Sequence, residues 1–294
     1  MKPPPFAYFA PRSLDEAVKL IDEHQDDGKL LSGGQSFVPV LSLRLASPAT
    51  IIDLNRVEGL GGASEMPDGG LRVRGLTRHR EIELSPLVAR LNPLLTGTMP
   101  HVAHVQIRNR GTTGGSCSHA DPAAEMPAIA LTCDADFVLT SVTGERVVPA
   151  GEFFQGVFTT ALEANEILTE IRYPAWPKGR RWGFEEMARR RGDFAIVGSA
   201  VLVDFDEAGR CGAAKITIFG AGDIPLRIAE AEEMLVAKGL TPETMREAGR
   251  ITSAAIEPRD DLHASADYRR DVSAVMVRRA LEQTASPLRT GVAA

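Results

Sequence analysis

The sequence predicts an α+β chain in two parts: a larger two-lobed N-terminal part, then a smaller one of antiparallel strands followed by helices. Three observations carry this. In residues 6–75, strand-like runs take turns with stretches of helical period, the pattern of α/β units. Beyond residue 179 the alternation stops, and three strand-like runs (184–187, 195–205 and 213–219) precede helical stretches at 225–238, 241–255 and 268–285. Between the two, Pro174 and Pro177 bracket Trp176 in a segment with the composition of a linker. A length of 294 residues, above the commonest single-domain size, agrees with a division into 1–175 (lobes 1–55 and 56–175), 176–286, and a tail, 287–294.

The elements follow in order. Residues 6–11 form a short strand, and Ser13 with Glu16 three residues on has the spacing of a capping box. Leu14, Val18 and Ile21 are the buried stripe of the helix that begins there. Lys29, Leu30 and Leu31 form a strand before a glycine turn, and residues 37–45 a helix broken early by Pro39. Residues 50–54 read as a buried strand, and 71–75 as a half-exposed one continuing the α/β run. Thr77 caps a helix carrying Glu81 and Glu83, and residues 92–105 are helical with an interruption near Pro100. A second glycine stretch at 111–116 reads as a turn, after which Asp121-Pro122 starts a helix through Ala130. Thr143-Gly144 joins 136–140 to 145–148 as a hairpin, 153–160 is a loop, and 166–173 alternates as a strand. In the C-terminal part the helices cover one face of the sheet, and the chain frays after Pro287.

Composition narrows the function. Apolar residues at 44% and charged residues at 24% are those of an ordinary globular protein. A net charge of −6 lacks the basic surplus of a nucleic-acid or anionic-membrane binder. No run approaches the ~20 apolar residues of a membrane span. The start, Met1 to Pro5, has no apolar segment after Lys2, so no secretory signal is read there and the chain is expected in the cytoplasm. Cys117, Cys133 and Cys211 form no CxxC pair, which excludes a disulfide framework or a cysteine-ligated iron–sulfur cluster within the chain. His101 and His104 share a helix face, but no HExxH or carboxylate pattern completes a metal site, and none is expected.

The candidate chemistry lies in the two glycine stretches. One is Leu31, Ser32, Gly33, Gly34, Gln35, Ser36 and Phe37; the other is Gly111, Thr112, Thr113, Gly114, Gly115 and Ser116. Glycines beside small hydroxyl residues let backbone N–H groups approach a ligand, and two such turns can clasp the two phosphates of a dinucleotide. Gly220-Ala221-Gly222 follows a strand as a Rossmann turn would, but the third glycine position holds Pro225 and no acidic strand end follows, so it reads as a plain turn. Arg189, Arg190 and Arg191 read as a solvated loop; Phe194 after them suits the face of a planar ligand. Cys117 has two readings, a thiol activated by a backbone nest or a small packing residue. Glu125 also has two, a ribose- or ring-bonding carboxylate or a helix-start acid. No nucleophile-elbow signature is present, and no catalytic residue is assigned.

Together these residues resemble the FAD-binding medium subunit of the xanthine dehydrogenase/carbon monoxide dehydrogenase family of molybdenum hydroxylases, over nearly the whole chain. The resemblance rests on residues 11–17 (PRSLDEA), 32–36 (SGGQS), 52–54 (IDL), 106–109 (QIRN), 111–115 (GTTGG), 121–127 (DPAAEMP), 191–195 (RGDFA), and Gly222 with Pro225 and Arg227. It implies a two-lobed FAD-binding domain of the vanillyl-alcohol-oxidase-like (PCMH) type, followed by the C-terminal domain of these flavoproteins. It implies that the two glycine turns hold the pyrophosphate, that Glu125 lies on the sugar chain, that Val102 and Ala103 line the flavin pocket with Leu168 packed near it and Phe194 over the ring, and that Asp121 and Asp193 belong to the same cofactor site. Gln35 stands where relatives often have His or Asn, and Ser116-Cys117 replaces an Asn-plus-small pair. The implied activity is electron transfer. Electrons from a molybdenum-pterin centre in a large subunit pass through 2Fe–2S clusters in a small one to FAD here, then to an external acceptor, in a dimer of heterotrimers. Two rivals are a self-contained FAD oxidase or reductase, for which some 115 residues after Trp176 are few, and a flavin-free assembly scaffold, against which the intact glycine turns count. Carbon monoxide, an N-heterocycle, an aldehyde or an acyl thioester remains open as substrate, as do NAD, quinone, cytochrome or oxygen as acceptor.

Overall fold

The computed structural model describes residues 2–285, and the tail expected from residue 287 lies outside them. The first lobe is a parallel sheet of β1 (Ala7–Phe9), β2 (Gly28–Leu31) and β3 (Thr50–Asp53), with β3 central. Helix α1 (Leu14–His24) starts where Ser13 Oγ accepts the Glu16 N–H, while the Glu16 carboxylate accepts the N–H of Arg12 rather than of Ser13. Its Ala17, Val18 and Ile21 bury with Ile52 of β3. Pro39 does not break α2 (Phe37–Ser42), because it sits in the first turn, where a backbone N–H has no intrahelical partner to lose.

The strand at 71–75 does not extend this sheet. It joins a second, antiparallel one with the order β4-β5-β10-β6-β7. These strands are β4 (Ala63–Glu65), β5 (Leu71–Arg74), β6 (Asp136–Ser141), β7 (Gly144–Pro149) and, after the small ribbon β8 (Phe154–Gly156) and β9 (Thr159–Thr160), β10 (Ile167–Tyr173). Period-two alternation shows that a strand is half-buried but not which strand it pairs with, and β5 pairs with β10, nearly a hundred residues away.

Seven short helices lie between and beside these strands: α3 (His79–Leu84), α4 (Pro86–Leu91), α5 (Pro93–Thr98), α6 (Val105–Arg108), α7 (Thr113–His119), α8 (Glu125–Thr132) and α9 (Ala150–Phe153). Thr77 does not cap α3; its hydroxyl donates to Gly62 O at 2.8 Å, and the Glu81 carboxylate instead accepts the Arg78 N–H at 3.2 Å. Nor is 92–105 one helix. Asn92 caps α5 by accepting the Leu95 N–H, and turns then lead to α6 through Ala103 at φ +47°.

The C-terminal part is an antiparallel sheet, β11 (Arg180–Ala188), β12 (Ala195–Phe205), β13 (Cys211–Phe219) and β14 (Leu226–Arg227), with α10 (Ala229–Lys238), α11 (Pro242–Ala255) and α12 (Ala266–Ala285). It is covered on both faces, not one: the C-terminal helices pack on one side and α8 lies against β12 and β13 on the other. The unbroken burial of Ala195 to Val203 is the consequence, since a strand with two dry faces cannot alternate. One apolar cluster therefore runs from Phe137, Phe153 and Ile171 into Phe184, Ala200 and Phe219. Polar ties cross the same seam, with Gly220 N–H donating to Pro122 O at 2.8 Å and Asp134 pairing with Arg227 at 2.9 Å and with Lys215.

Candidate functional site

The two glycine stretches meet. Ser32 Oγ lies 2.6 Å from Thr112 Oγ1. The chains approach so closely there that a Cβ on Gly33 would stand 2.5 Å from Arg110 O and 2.8 Å from the Gly111 Cα. A Cβ on Gly114 would stand 2.6 Å from Gly75 O. Only residues without a side chain fit these places.

Their roles differ, however, from two equivalent nests. Thr113 to Ser116 form the first turn of α7, and their N–H groups are already engaged, by Thr77 O, Gly75 O, Thr112 Oγ1 and Thr112 O respectively. The first stretch is the reverse. The N–H groups of Gly33, Gly34, Gln35 and Ser36 donate to no protein acceptor among the described residues. Uncommitted donors at one turn are what an anion requires of a backbone, while the second stretch contributes hydroxyls and a close backbone wall.

These turns border a cavity of about 540 Å³, within the range of cofactor sites. Ser32, Gly33, Gly34, Gln35, Ser36 and Phe37 line it on one side, and Gly111, Thr112, Gly114, Gly115 and Ser116 on the other. Val102, Ala103, Asp121, Glu125, Leu168, Asp193 and Phe194 complete the wall. Two of the residues singled out from the sequence do not line it. Leu31 faces a smaller neighbouring cavity, for which the Gly33 turn is the partition, and Thr113 is fully buried with its hydroxyl toward Arg74 O. The wall also holds residues that no motif announced, among them Gly75, His79, His119 and Phe158.

Arg108 sets the wall at Val102 and Ala103. Its guanidinium is buried, grips both Glu83 oxygens at 2.9 and 3.1 Å, and donates to the carbonyls of Val102 (3.1 Å) and Ala103 (2.9 Å). The β11–β12 turn closes on this wall, with Gly192 against His104 and the Phe194 ring 60% exposed beside it. Arg189, Arg190 and Arg191 are exposed on the same turn and pair with no acid among the described residues. His79 is buried with both ring nitrogens unpartnered, and burial lowers its pKa to about 4, so the imidazole is neutral. Cys117 is not an activated thiol: it is fully buried in the core, and burial pushes its pKa up. No group of residues suited to a metal ion occurs among the described residues, and no described helix is long and apolar enough to cross a membrane.

Glu125 opens α8 facing the cavity and is only 5% exposed. Burial raises its carboxyl to about 8, with the charges of Glu186 and Asp121 adding to the rise. The folded chain thus keeps a proton that the unfolded chain gives up from its ordinary value near 4.5. The stability this proton contributes is complete below that value and is lost as pH rises through about 8. In flavin-free protein, unfolding temperature should therefore fall more steeply from pH 5 to pH 9 in wild type than in Glu125→Gln; equal slopes would contradict this. The arrangement fits a dinucleotide such as FAD: free N–H donors and hydroxyls for phosphates, glycine-only walls, and an exposed aromatic ring at the mouth.

Comparison with known proteins agrees. Residues 4–176 match the family described as FAD binding domain in molybdopterin dehydrogenase, and residues 182–284 match the CO dehydrogenase flavoprotein C-terminal domain. The chain is 38% identical over 281 residues to a 6-hydroxypseudooxynicotine dehydrogenase complex subunit alpha of Paenarthrobacter nicotinovorans, covering 96% of this chain and 95% of that one. It is 38% identical over 282 residues to a carbon monoxide dehydrogenase medium chain of Hydrogenophaga pseudoflava, covering 96% and 97%. Among solved structures, carbon monoxide dehydrogenase from Hydrogenophaga pseudoflava superposes with a TM-score of 0.93, at 38% identity and covering 97% of this chain and 98% of that one. Quinoline 2-oxidoreductase from Pseudomonas putida 86 gives 0.92 at 35%, covering 97% and 99%. With family matches over both halves and relatives this similar along their full length, the chain belongs to the FAD-binding medium subunits of the molybdenum hydroxylases.

Proposed function

We propose that this chain holds FAD in the cavity between its lobes and serves as the electron-transfer subunit of a molybdenum hydroxylase complex. The single observation that carries the reading is the turn at residues 33–36, whose four N–H groups donate to no protein acceptor among the described residues and which shares one cavity with Thr112 and Ser116, packed so close to Arg110 and Gly111 that only glycine fits at 33. The site residues are those that line the cavity, with Thr113 and Leu31 supporting it from behind. We take the FAD-binding unit as 1–175, with lobes 1–55 and 56–175, and the C-terminal unit as 176–286.

When bound, FAD supplies the exchange between paired and single electrons, and the protein supplies position, electrostatics and access. The Gly33 turn binds the diphosphate. Arg108, through the carbonyls of Val102 and Ala103, holds the wall on which the flavin rests, and Phe194 covers the ring. Glu125, protonated near neutral pH, donates a hydrogen bond toward the sugar chain or ring instead of placing a second charge beside Glu186. The partners are a small subunit with 2Fe–2S clusters and a large subunit with the molybdenum-pterin cofactor, assembled as a dimer of heterotrimers in the cytoplasm. An external acceptor takes the electrons at the flavin.

A self-contained oxidase would need substrate contacts of its own, yet the described residues after 180 give the cavity only Gly192, Asp193 and Phe194. The test is anaerobic. Substrate added to the assembled complex should bleach the flavin band, and the same substrate added to the isolated flavin-loaded chain should not. Bleaching of the isolated chain would favour the oxidase reading.

A further inference from the structure

Asp53, Asn55 and Arg78 lie outside the wall of the main cavity, yet they tie its two glycine stretches together. Asn55 follows β3 of the first lobe. Its Nδ2 donates to Ser32 O at 2.8 Å, at the head of the first stretch, and to the Asp53 carboxylate, which also accepts the Tyr8 hydroxyl at 2.6 Å. With both amide hydrogens spent, its Oδ1 is left to accept from the guanidinium of Arg78, just before α3. The same guanidinium donates to Arg110 O. That carbonyl is the one Gly33 packs against, where a Cβ would stand 2.5 Å away. The main chain extends the link, with His79 N–H donating to Gly111 O at 3.0 Å and Arg78 bridging to Thr112.

Two features set this chain of bonds apart from an ordinary surface contact. Its ends, Ser32 O and Arg110 O, belong to backbone on either side of the gap between the stretches, so it fixes how far apart they stand. The second feature is what Arg78 is spent on. Half-buried, it grips two neutral oxygens and pairs with no acid among the described residues. Its charge thus stands without a contacting carboxylate, close to a turn whose four N–H groups have no protein acceptor. A bound anion there suits both.

We propose that Arg78 and Asn55 are positioning residues, a strut that sets the gap between the two glycine stretches and so the fit of the dinucleotide's diphosphate, without touching it. The inference rests on the FAD reading above. Without the strut Ser32 and Arg110 are free to part, and the N–H groups at 33–36 lose their aim.

The experiment titrates the flavin-free full chain with FAD, ADP and riboflavin, following fluorescence or heat. Arg78→Met keeps the apolar stem and removes the fork. It should weaken FAD and ADP alike, by about tenfold or more, and riboflavin, which has no phosphate, by less than about twofold. Asn55→Ala should do the same. The double variant should bind no worse than about twofold below the weaker single, since both break one strut. Arg78→Lys should stay within about threefold of Arg78→Met, because a point charge cannot span Asn55 Oδ1 and Arg110 O together. Wild-type FAD affinity in Arg78→Met would overturn the proposal, as would losses that multiply in the double variant. Full recovery by Arg78→Lys would assign the effect to charge alone, and an equal loss for riboflavin would mark a general loosening of the cavity; either would overturn it too. A wild-type chain that takes up neither FAD nor ADP would overturn the cofactor reading itself.

Discussion

Replacing Gly33 with alanine should empty the protein of flavin. The new Cβ would lie 2.5 Å from Arg110 O and 2.8 Å from the Gly111 Cα, both backbone atoms that cannot swing aside as a side chain can. The two turns must part, which breaks the 2.6 Å contact between Ser32 and Thr112 and re-aims the four free N–H groups at 33–36. Each ~1.4 kcal/mol of binding lost is a factor of ten in affinity, and misaligning several charge-assisted donors at once exceeds that. The purified variant should therefore carry less than about a tenth of the wild-type flavin. Gly61→Ala is the control, since a Cβ there meets nothing within 4 Å, and it should purify with wild-type flavin content. Gly33→Ala protein with full flavin would remove the central role of this turn.

The second large effect concerns stability. Arg108→Ala should destabilise the chain by about 3 kcal/mol, because truncating one partner of a buried ion pair strands the other. Glu83 would keep only Arg80, at 2.9 Å, and the carbonyls of Val102 and Ala103 would lose the donor that holds them. Arg108→Lys should recover little, since a point charge cannot span both Glu83 oxygens and two carbonyls as the planar fork does. Denaturant unfolding of the flavin-free protein measures this, and a cycle with Glu83→Gln separates the pair from the carbonyl contacts. A loss below about 1 kcal/mol would mean the pair behaves as an exposed surface bridge.

What could be read from sequence was local. Ser13 and Glu16 mark α1, Thr143-Gly144 marks the β6–β7 hairpin, and the three C-terminal helices lie close to the stretches the sequence predicts, except that the first begins at Ala229 because Leu226–Arg227 pair as β14. The polar company of each glycine stretch marked both as sites of close backbone approach, but the second is the first turn of helix α7 rather than a loop, and the division of labour between the two did not show. That division follows from where each N–H is spent, and Thr77 O and Gly75 O reach Thr113 and Gly114 only in the folded chain. For the same reason β5 could not announce β10 as its partner, Arg108 could not announce Glu83 twenty-five positions earlier, and His79 carried no pattern at all. The run from Ala195 to Val203, apolar except for Ser199, already implied a strand with two covered faces.

The measurement that bears most directly on the account is the visible spectrum of the purified full chain, with its cofactor released by heat and identified by mass. FAD at close to one per chain is the expected result, with a Gly33→Ala variant that lacks it. A colourless wild-type chain that also fails to take up added FAD would contradict it, leaving the fold in place without the function assigned to its cavity.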